Sequence, residues 1–277
     1  MPLPTIIVPV FNALEHLDGC LGSITRTLAP GAQILLIDDA STNPAVRPML
    51  QSWVAEDKTN RRLLLHEQNR GFVATVNHGM KIAGGDVVLL NSDTEVTPGW
   101  LQNLSKCLAS EQSIATATPW SNNGEITSIP DFCAVNPVPK NPHEIASVIA
   151  ACGNPGYPEL PTAVGFCMAI SRFAINQVGM FDEDAFGRGY GEENDFCQRA
   201  EQAGLRNVLC DDTYVVHHGG ASFAPLGLKP NADSMQRLLS KHPDYQQKVA
   251  NFIKADPFAP RRQEILTCLE RSGLGMG

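Results

Sequence analysis

Two adjacent glutamates carry the most direct chemical signal in the sequence. Glu192 and Glu193 open a stretch whose pattern predicts a helix over 192–203, ended by Gly204. The helix dipole favours acidic residues in a first turn, so a structural interpretation stands beside a catalytic one. The catalytic interpretation is a general base that removes a proton from an attacking hydroxyl. The preceding stretch, Gly187 to Gly191, is interpreted as a flexible link rather than a phosphate loop.

A second group of residues has the chemistry of a divalent-cation site. Asp93 ends the triplet Asn91-Ser92-Asp93 after an apolar run, and its carboxylate offers an oxygen ligand. His217 follows another apolar run and offers a nitrogen ligand, a combination that suits Mn²⁺ and, less well, Mg²⁺. Taken singly, the triplet also suits a plain turn, and a lone histidine is more often structural. The two together predict a metal site.

A third group has types that recognise a nucleotide. Asp38 and Asp39 end an apolar run, where a carboxylate can accept hydrogen bonds from a base or a ribose. A local turn capped by Ser41 explains the same residues equally well. Asn69-Arg70-Gly71 opens a predicted helix, so a guanidinium and free backbone N–H groups can face a diphosphate. A helix cap with a solvated arginine is the competing interpretation.

These residues fall between alternating strands and helices in the first half of the chain. β-Branched and apolar runs predict strands at 5–10, 33–37, 62–66 and 86–90, and helical spacing predicts helices at 14–28, 46–56, 72–83 and 100–109. Strands joined by single helices imply a mostly parallel sheet covered on both faces. Ligands gather at the carboxyl ends of such strands, where the polar groups described above lie.

The second half has a weaker pattern. Residues 119–162 are rich in Pro, Asn and Gly and predict a long loop region. Strands are predicted at 162–171, 207–210 and 214–216, and Asp195 and Arg199 are spaced for an ion pair within a helix. Amphipathic helices, interrupted at Pro243 and Pro257, are predicted from 231 to 269.

Composition limits the classes of protein and of partner. The chain has 277 residues, of which 43% are hydrophobic and 18% charged, as in ordinary globular proteins. Its net charge of −8 argues against a nucleic-acid partner. No secretory leader or membrane span is recognisable, which predicts a cytoplasmic location that includes the inner face of the membrane. The eight cysteines lack a C-x-x-C pair and are interpreted as mostly buried, reduced thiols.

Eight segments, in order, resemble the family 2 glycosyltransferases with the GT-A fold, and in particular their bacterial rhamnosyltransferase-like branch. They are I-I-V-P-V-F-N (6–12), D-D-A-S-T (38–42), N-R-G-F-V-A-T-V-N (69–77), V-V-L-L-N-S-D-T (87–94), W-S-N-N-G-E-I (120–126), G-F-C-M-A-I (165–170), F-D-E-D-A-F-G-R-G-Y-G-E-E-N-D-F-C-Q-R-A (181–200) and V-V-H-H-G-G-A-S (215–222).

The resemblance implies an α/β GT-A domain over 1–223, with a nucleotide-sugar-binding half (1–118) and an acceptor half (119–223), followed by a helical extension (224–277). It implies transfer of a sugar from a nucleotide-diphosphate donor, such as dTDP-rhamnose or a UDP-sugar, to a hydroxyl of a saccharide, lipid-linked or protein acceptor, with inversion at the anomeric carbon. It also implies a role in polysaccharide or glycoconjugate synthesis, and a homodimer is compatible with it.

Roles for individual residues follow from the same resemblance. Glu193 is the expected base with Glu192 beside it, and Asp93 and His217 are the expected ligands of Mn²⁺ or Mg²⁺. The residues implied to bind the nucleotide sugar are Pro9, Asn12, Asp38, Asp39, Asn69, Arg70, Gly71, Asn77, Asn91 and Ser92, and those implied to contact the acceptor are Trp120, Asn122 and Tyr190.

One departure from the family pattern affects the metal. The usual D-x-D triplet is Asn91-Ser92-Asp93 here, which leaves fewer anionic ligands and weakens the expected metal site. Two other functions share the architecture: a sugar-nucleotide nucleotidyltransferase and a non-catalytic sugar-nucleotide-binding module. The first normally carries a glycine-rich G-x-G-T-R-type loop after the first strand, where this chain has Pro9 to Asn12. A dehydrogenase would need a G-x-G-x-x-G motif at that turn, and the motif is absent there.

Overall fold

A seven-stranded sheet forms the centre of the molecule, and a separate ribbon has two strands. The computed structural model describes residues 2–187, 189–219 and 232–276. The strands are β1 (Thr5–Val10), β2 (Ile34–Asp38), β3 (Arg61–Leu65), β4 (Val87–Leu90), β5 (Thr94–Glu95), β6 (Ile114–Trp120), β7 (Cys167–Ile170), β8 (Arg206–Tyr214) and β9 (Val216–His217). The order in the sheet is β3-β2-β1-β4-β7-β6-β8, and the ribbon pairs β5 with β9.

The predicted mostly parallel sheet is confirmed. Strands β1 to β4 pair in parallel, and β6 pairs in parallel with β8, whereas β7 runs antiparallel to both of its neighbours. Each of the first four strands has a fully or mostly apolar sequence because helices cover the sheet on both faces. The carboxyl ends of β1, β2 and β4 therefore meet at one edge of the sheet, together with the start of the antiparallel β7.

Helices flank this sheet, and those predicted in the first half are confirmed to within two residues. The helices are α1 (Leu14–Thr27), α2 (Val46–Ala55), α3 (Phe72–Ala83), α4 (Trp100–Ser110), α5 (Pro142–Ala151), α6 (Arg172–Val178), α7 (Glu183–Phe186), α8 (Glu192–Gln202), α9 (Ala232–Lys241), α10 (Tyr245–Ala255) and α11 (Ala259–Arg271). One apolar core packs α1, α2 and α4 against one face of the sheet. A second core packs α3, α6 and α8 against the other.

The loop region predicted over 119–162 is wrong in part. It contains the end of β6, a short 3-10 helix and the ten-residue α5. Strand β6 is fully buried although it contains threonines, because their hydroxyls find partners: Thr116 Oγ1 donates to Asn207 Oδ1 at 2.9 Å. Helix α5 starts at a proline, which is well suited to a first turn. The high content of Pro and Asn in this region thus concealed the end of β6 and helix α5 in the sequence.

The strands predicted at 207–210 and 214–216 also need correction. A single nine-residue strand, β8, spans Arg206 to Tyr214, and only two residues of β9 follow it. The polar segment Asp211 to Thr213 continues the strand in a buried position. The Asp211 carboxylate accepts hydrogen bonds from the backbone N–H groups of Gly156 and Tyr157 and pairs with Arg261, which satisfies its charge.

The C-terminal part of the chain contains the three predicted amphipathic helices. Helices α9 and α10 pack on the second core, and α11 packs with α5 on a third core that contains Trp120. The predicted domain boundary at 223/224 lies outside the described residues. Among the described helices, none is long and apolar enough to cross a membrane.

The cysteines differ from the prediction at one pair. Cys152, after α5, and Cys268, in α11, form a disulfide with a Cα–Cα separation of 6.3 Å. The other six are free thiols, five of them buried, and Cys133 is exposed. The disulfide joins residues 116 positions apart, a pairing that the spacing of the cysteines along the sequence does not reveal.

Candidate active site

A cavity of about 720 Å³ opens beside the carboxyl ends of the central strands. Its wall brings together residues from the second half of the chain and from the end of β4. The polar and ionisable side chains that line it are Asn91, Asp93, Asn123, Glu125, Tyr190, Glu192, Glu193, Asn194, His217, His218, Ser234 and Tyr245. Both predicted catalytic residues and both predicted metal ligands thus line a single cavity.

The two glutamates lie at the start of α8, where Gly191 introduces the helix with a φ of 108°. A Cβ atom at Gly191 would lie 2.8 Å from Cε1 of Phe186. The positive φ and this close approach both exclude a residue larger than glycine. Glu192 is 3% exposed, and Glu193 is half-buried. Oε2 of each carboxyl is enclosed and has no hydrogen-bond partner among the residues that the structure describes. A reactant that enters the cavity can supply that partner.

Burial changes the acidity of both carboxyls. Burial, and then the charge of Glu193, raise the pKa of Glu192 well above its usual range. Burial also raises the pKa of Glu193. Two adjacent buried carboxyls resist simultaneous ionisation, so the pair holds a proton to higher pH than an isolated glutamate. We assign that proton to Glu192, the more buried of the two, which leaves Glu193 as the ionised carboxylate of the pair.

The predicted metal ligands meet through the β5–β9 ribbon. Thr94 pairs with His217 in the antiparallel register, and the backbone N–H of His218 donates to the carbonyl oxygen of Asp93 at 3.0 Å. As a result, Nε2 of His217 lies 3.6 Å from Oδ1 of Asp93. Two strands that are distant in the sequence therefore deliver one oxygen and one nitrogen ligand to the same place.

The hydrogen bonds of His217 fit a metal ligand. Its Nδ1 lies 2.6 Å from the carbonyl oxygen of Asn123, and a carbonyl only accepts, so Nδ1 carries the proton. In the neutral ring, Nε2 then directs a lone pair towards the Asp93 carboxylate. Two lone pairs at this distance favour a cation between them, and a carbonyl that orients the far ring nitrogen is typical of metal-bound histidine. No cluster of three ionisable ligands occurs in the described residues, so a cation held by this pair would take its other ligands from outside the protein's ionisable side chains.

The carboxylates at the end of β2 have partners within the protein. Oδ1 of Asp39 accepts from the backbone N–H of Arg70 at 2.9 Å and contacts Nδ1 of His66 at 2.8 Å, and Oδ2 accepts from Gly71 N–H at 2.9 Å. Asp39 therefore holds the start of α3 against β2. Asp38 accepts from the backbone N–H of Ser41, as the turn interpretation predicts.

The other predicted nucleotide residues surround this edge without forming part of the cavity wall, apart from Asn91. Asn12 bonds to the 42–43 backbone and to Thr42, and Asn69 donates to the carbonyl of Asp39. Pro9 is half-buried in β1, and the Arg70 side chain is exposed. Ser92 is fully buried.

Asn77 differs most from its predicted role. It is 2% exposed, and its amide bonds to the backbone of Phe181 in both directions and to Glu183. These bonds tie α3 to the segment before α7. The side chain has a structural function in this position, and we correct its assignment as a nucleotide contact.

Of the three predicted acceptor residues, Tyr190 lines the cavity. Trp120 is fully buried in the third core, and Asn122 is 2% exposed with its amide bonded to the backbone of His217 and Asn136. The predicted direct contact with an acceptor is therefore corrected for Trp120 and Asn122. Asn122 acts instead through His217, whose backbone it fixes at both N–H and C=O.

Sequence reasoning missed several cavity residues. Glu125 faces the cavity, and the surrounding protein raises the pKa of its carboxyl by burial. Ser234, Met235, Leu238 and Tyr245 come from α9 and α10, in the helical extension to which no role was given. The W-S-N-N-G-E-I segment was a signal for Glu125, whereas an amphipathic helix gives none for the others.

Comparison with known proteins identifies the family. The family described as "Glycosyl transferase family 2" matches residues 5–179, which is more than half of the chain. The chain belongs to glycosyl transferase family 2. It is 25% identical over 249 residues to N-acetylglucosaminyl-diphospho-decaprenol L-rhamnosyltransferase of Mycobacterium tuberculosis, covering 78% of this chain and 76% of that protein.

Other relatives match over a shorter region. The chain is 30% identical over 101 residues to the uncharacterized glycosyltransferase YibD of Escherichia coli, covering 36% of this chain and 28% of that protein. It is 28% identical over 104 residues to glycosyltransferase GlyG of Streptococcus pneumoniae, covering 37% of this chain and 34% of that protein. The match thus spans about a third of the length of each of these two relatives.

Solved structures establish the fold. GalNAc-T7 with UDP, GalNAc and Mn²⁺ superimposes with a TM-score of 0.65 at 15% identity, covering 98% of this chain and 55% of that one. Mannosyltransferase PcManGT of Pyrobaculum calidifontis, in complex with GDP-Man and Mn²⁺, gives a TM-score of 0.59 at 16% identity, covering 98% and 75%. The predicted GT-A fold, a mostly parallel sheet flanked by helices with further helices at the C-terminus, is therefore confirmed.

Proposed function

We propose that this protein is an inverting glycosyltransferase that moves a sugar from a nucleotide-diphosphate donor to an acceptor hydroxyl. The observation that carries the proposal is the meeting of Glu193, Asp93 and His217 in one cavity. Membership of family 2 supports the reaction class. The rhamnosyltransferase relative supports dTDP-rhamnose as one donor to test, and UDP-sugars are the other. Saccharide, lipid-linked and protein acceptors all present the required hydroxyl.

The mechanism follows from the positions of the charged groups. Glu193 accepts the proton of the acceptor hydroxyl while that oxygen attacks the anomeric carbon from the face opposite the diphosphate. A single displacement of this kind inverts the carbon. Glu192 keeps a proton beside Glu193, and Asp93 and His217 would hold a divalent cation. When bound, the cation supplies positive charge that stabilises the leaving diphosphate. Arg70, near the edge of β2, adds a further positive charge.

A direct test is the release of nucleoside diphosphate from a panel of dTDP-, UDP- and GDP-sugars, with water and with added acceptors. We expect release from at least one donor, with the opposite anomeric configuration in the product. Release with retained configuration would contradict inversion. A pyrophosphate product would indicate a nucleotidyltransferase instead, and binding without turnover would indicate a non-catalytic module.

Asp39→Ala is expected to weaken nucleoside diphosphate binding by about 1–3 kcal/mol, the cost of removing a charged hydrogen-bond partner. Two backbone N–H groups at the start of α3 also lose their acceptor, so the free energy of unfolding should fall as well. Calorimetric titration and thermal unfolding measure the two effects separately.

Asp86→Ala is the matched control for Asp39→Ala. This carboxylate accepts the backbone N–H of Arg172 at 2.7 Å at the opposite edge of the sheet. We expect a loss of stability without a loss of nucleotide affinity. Equal nucleotide affinities in the folded Asp39→Ala variant and the wild type would contradict the assignment of Asp39 to the nucleotide site.

The transfer rate is expected to fall on acidification at a pH above the usual range of glutamate. The reason is the raised pKa of the buried pair, since protonated Glu193 cannot act as a base. Because the pKa values are raised in the folded state, the protonated carboxyls stabilise the folded protein at low pH. That stabilisation is lost as the pH rises through the raised pKa values. The pH dependence of kcat measures the first effect.

Glu192→Gln should keep this acidic limb, because glutamine imitates the protonated Glu192. In Glu193→Gln the limb should disappear from the residual rate. An acidic limb at the ordinary pKa of an exposed carboxyl would show that Glu193 titrates without the influence of burial.

A further inference from the structure

The helical extension forms one wall of the cavity. Ser234, Met235 and Leu238 of α9 and Tyr245 of α10 line it together with Glu193. All four lie beyond residues 5–179, the part of the chain that matches the family. Glu193 and His217 also lie beyond this match, so the wall is assigned by its place in the cavity that a substrate must enter to reach Glu193. A wall in that position can contact a substrate and so distinguish one substrate from another.

Buried ionic contacts fix this wall to the catalytic helix. Asp195, two residues after Glu193, is fully buried and accepts from Arg199 Nε at 2.8 Å, from Lys241 Nζ at 2.7 Å and from His242 Nε2 at 2.9 Å. Although burial opposes it, hydrogen bonds from Lys241, His242 and Arg199 lower the pKa of Asp195. The carboxylate therefore stays ionised and joins α9 to α8.

A second contact orients α10 on the same helix. Lys248 donates to Glu201 at 2.7 Å and to Gln198 at 3.1 Å, one helical turn after Tyr245. The corner between α9 and α10 is thus held against α8 on both sides of Tyr245. Its ring is 8% exposed and packs in the second core. Burial and then the Glu193 carboxylate raise the pKa of the phenol, and a hydrogen bond with Thr162 opposes that rise.

We propose that Tyr245 contacts the acceptor beside Glu193 and that the wall formed by α9 and α10 selects a saccharide acceptor. This inference rests on the proposed glycosyl transfer. An acceptor that enters the cavity to reach Glu193 shares that cavity with Tyr245, whose phenol can donate or accept a hydrogen bond. Leu238 and the partly exposed Met235 offer an apolar surface to the C–H face of a sugar ring. A pocket with apolar walls and a few placed polar groups recognises a small polar ring in this way.

Tyr245→Phe separates contact from packing, because it removes one hydroxyl and keeps the ring. The probes are p-nitrophenyl hexosides, with the donor found active in the release assay. We expect hexosides to accelerate nucleoside diphosphate release by the wild type above the rate with water. In Tyr245→Phe, kcat/KM for the hexoside should fall by about 2- to 10-fold, the worth of one hydrogen bond. Tyr245→Ala should lower it further, while the Kd of the nucleoside diphosphate is unchanged.

Tyr157→Phe is the matched control, since Tyr157 is also a buried tyrosine, at 9% exposure, and does not line the cavity. It should retain the wild-type preference for hexoside over water. A Tyr245→Phe variant with wild-type kcat/KM for every accepted hexoside would overturn the contact. A wild type that hydrolyses its donor but gains nothing from any hexoside would overturn the saccharide class. Absence of turnover with every donor would refute the proposed function itself.

Discussion

Glu193→Gln is expected to lower the rate of sugar transfer by roughly 10²- to 10⁴-fold, the usual contribution of a positioned general base. Glutamine has nearly the same shape as glutamate but cannot accept the proton of the acceptor. Glu193 lines a cavity whose wall contains no residue of β1 or β2, and we therefore expect nucleotide binding to survive. Single-turnover transfer and calorimetric nucleotide binding measure the two quantities.

Glu192→Gln is the control for this experiment, because it makes the same chemical change one residue away. We expect a smaller loss of rate, since Glu192 is assigned the retained proton and its amide replacement is also neutral. If Glu192→Gln abolishes transfer while Glu193→Gln stays active, the two roles are exchanged. Wild-type rates in both variants would refute α8 as the catalytic helix.

Removal of divalent cations is expected to reduce transfer by about 10²- to 10³-fold, because a bound cation contributes several kcal/mol to stabilising the leaving group. EDTA should suppress the activity, and Mn²⁺ should restore it better than Mg²⁺, given one oxygen and one nitrogen ligand. The N-S-D triplet predicts a requirement for a higher cation concentration than a D-x-D triplet, since one anionic ligand is replaced by an amide. The cation dependence of the transfer rate measures this.

His217→Ala should raise the Mn²⁺ concentration needed for half-maximal activity, since Nε2 is one of the two proposed protein ligands. His143→Ala, in α5 and outside the cavity, makes the same substitution without this effect and serves as the control. Full activity after thorough chelation would contradict the metal assignment. In that case, Arg70 and backbone N–H groups would neutralise the charge of the diphosphate.

The first half of the fold could be predicted from the sequence because its signals are local. Strands such as β1 and β2 consist mostly of β-branched and apolar residues, and α3 has apolar residues at helical spacing between Gly71 and Gly84. The strand–helix alternation then leaves a mostly parallel sheet as the expected arrangement. Because the carboxyl ends of parallel strands lie at one edge of a sheet, the sequence also predicts that the polar residues following these strands gather there.

The candidate site was predictable where a residue type is itself informative. The adjacent acids at the start of α8 and the Asp93 and His217 pair belong to this group, and they line one cavity. The predictions for Asn77, Trp120 and Asn122 do not belong to this group. Their types also suit structural roles, and only the packing shows that their side chains are occupied by the core and by backbone hydrogen bonds.

The sequence by itself therefore determined the fold class and the chemistry available to the chain, since both depend on residue types and on short periodic patterns. Contacts between distant segments were decided by the tertiary structure. It brought His217 to 3.6 Å from Asp93, joined Cys152 to Cys268, and placed Tyr245 in the wall of the cavity that Glu193 also lines. The physical reason is that each contact depends on how helices and strands pack, and packing free energy is shared among many side chains with no local pattern.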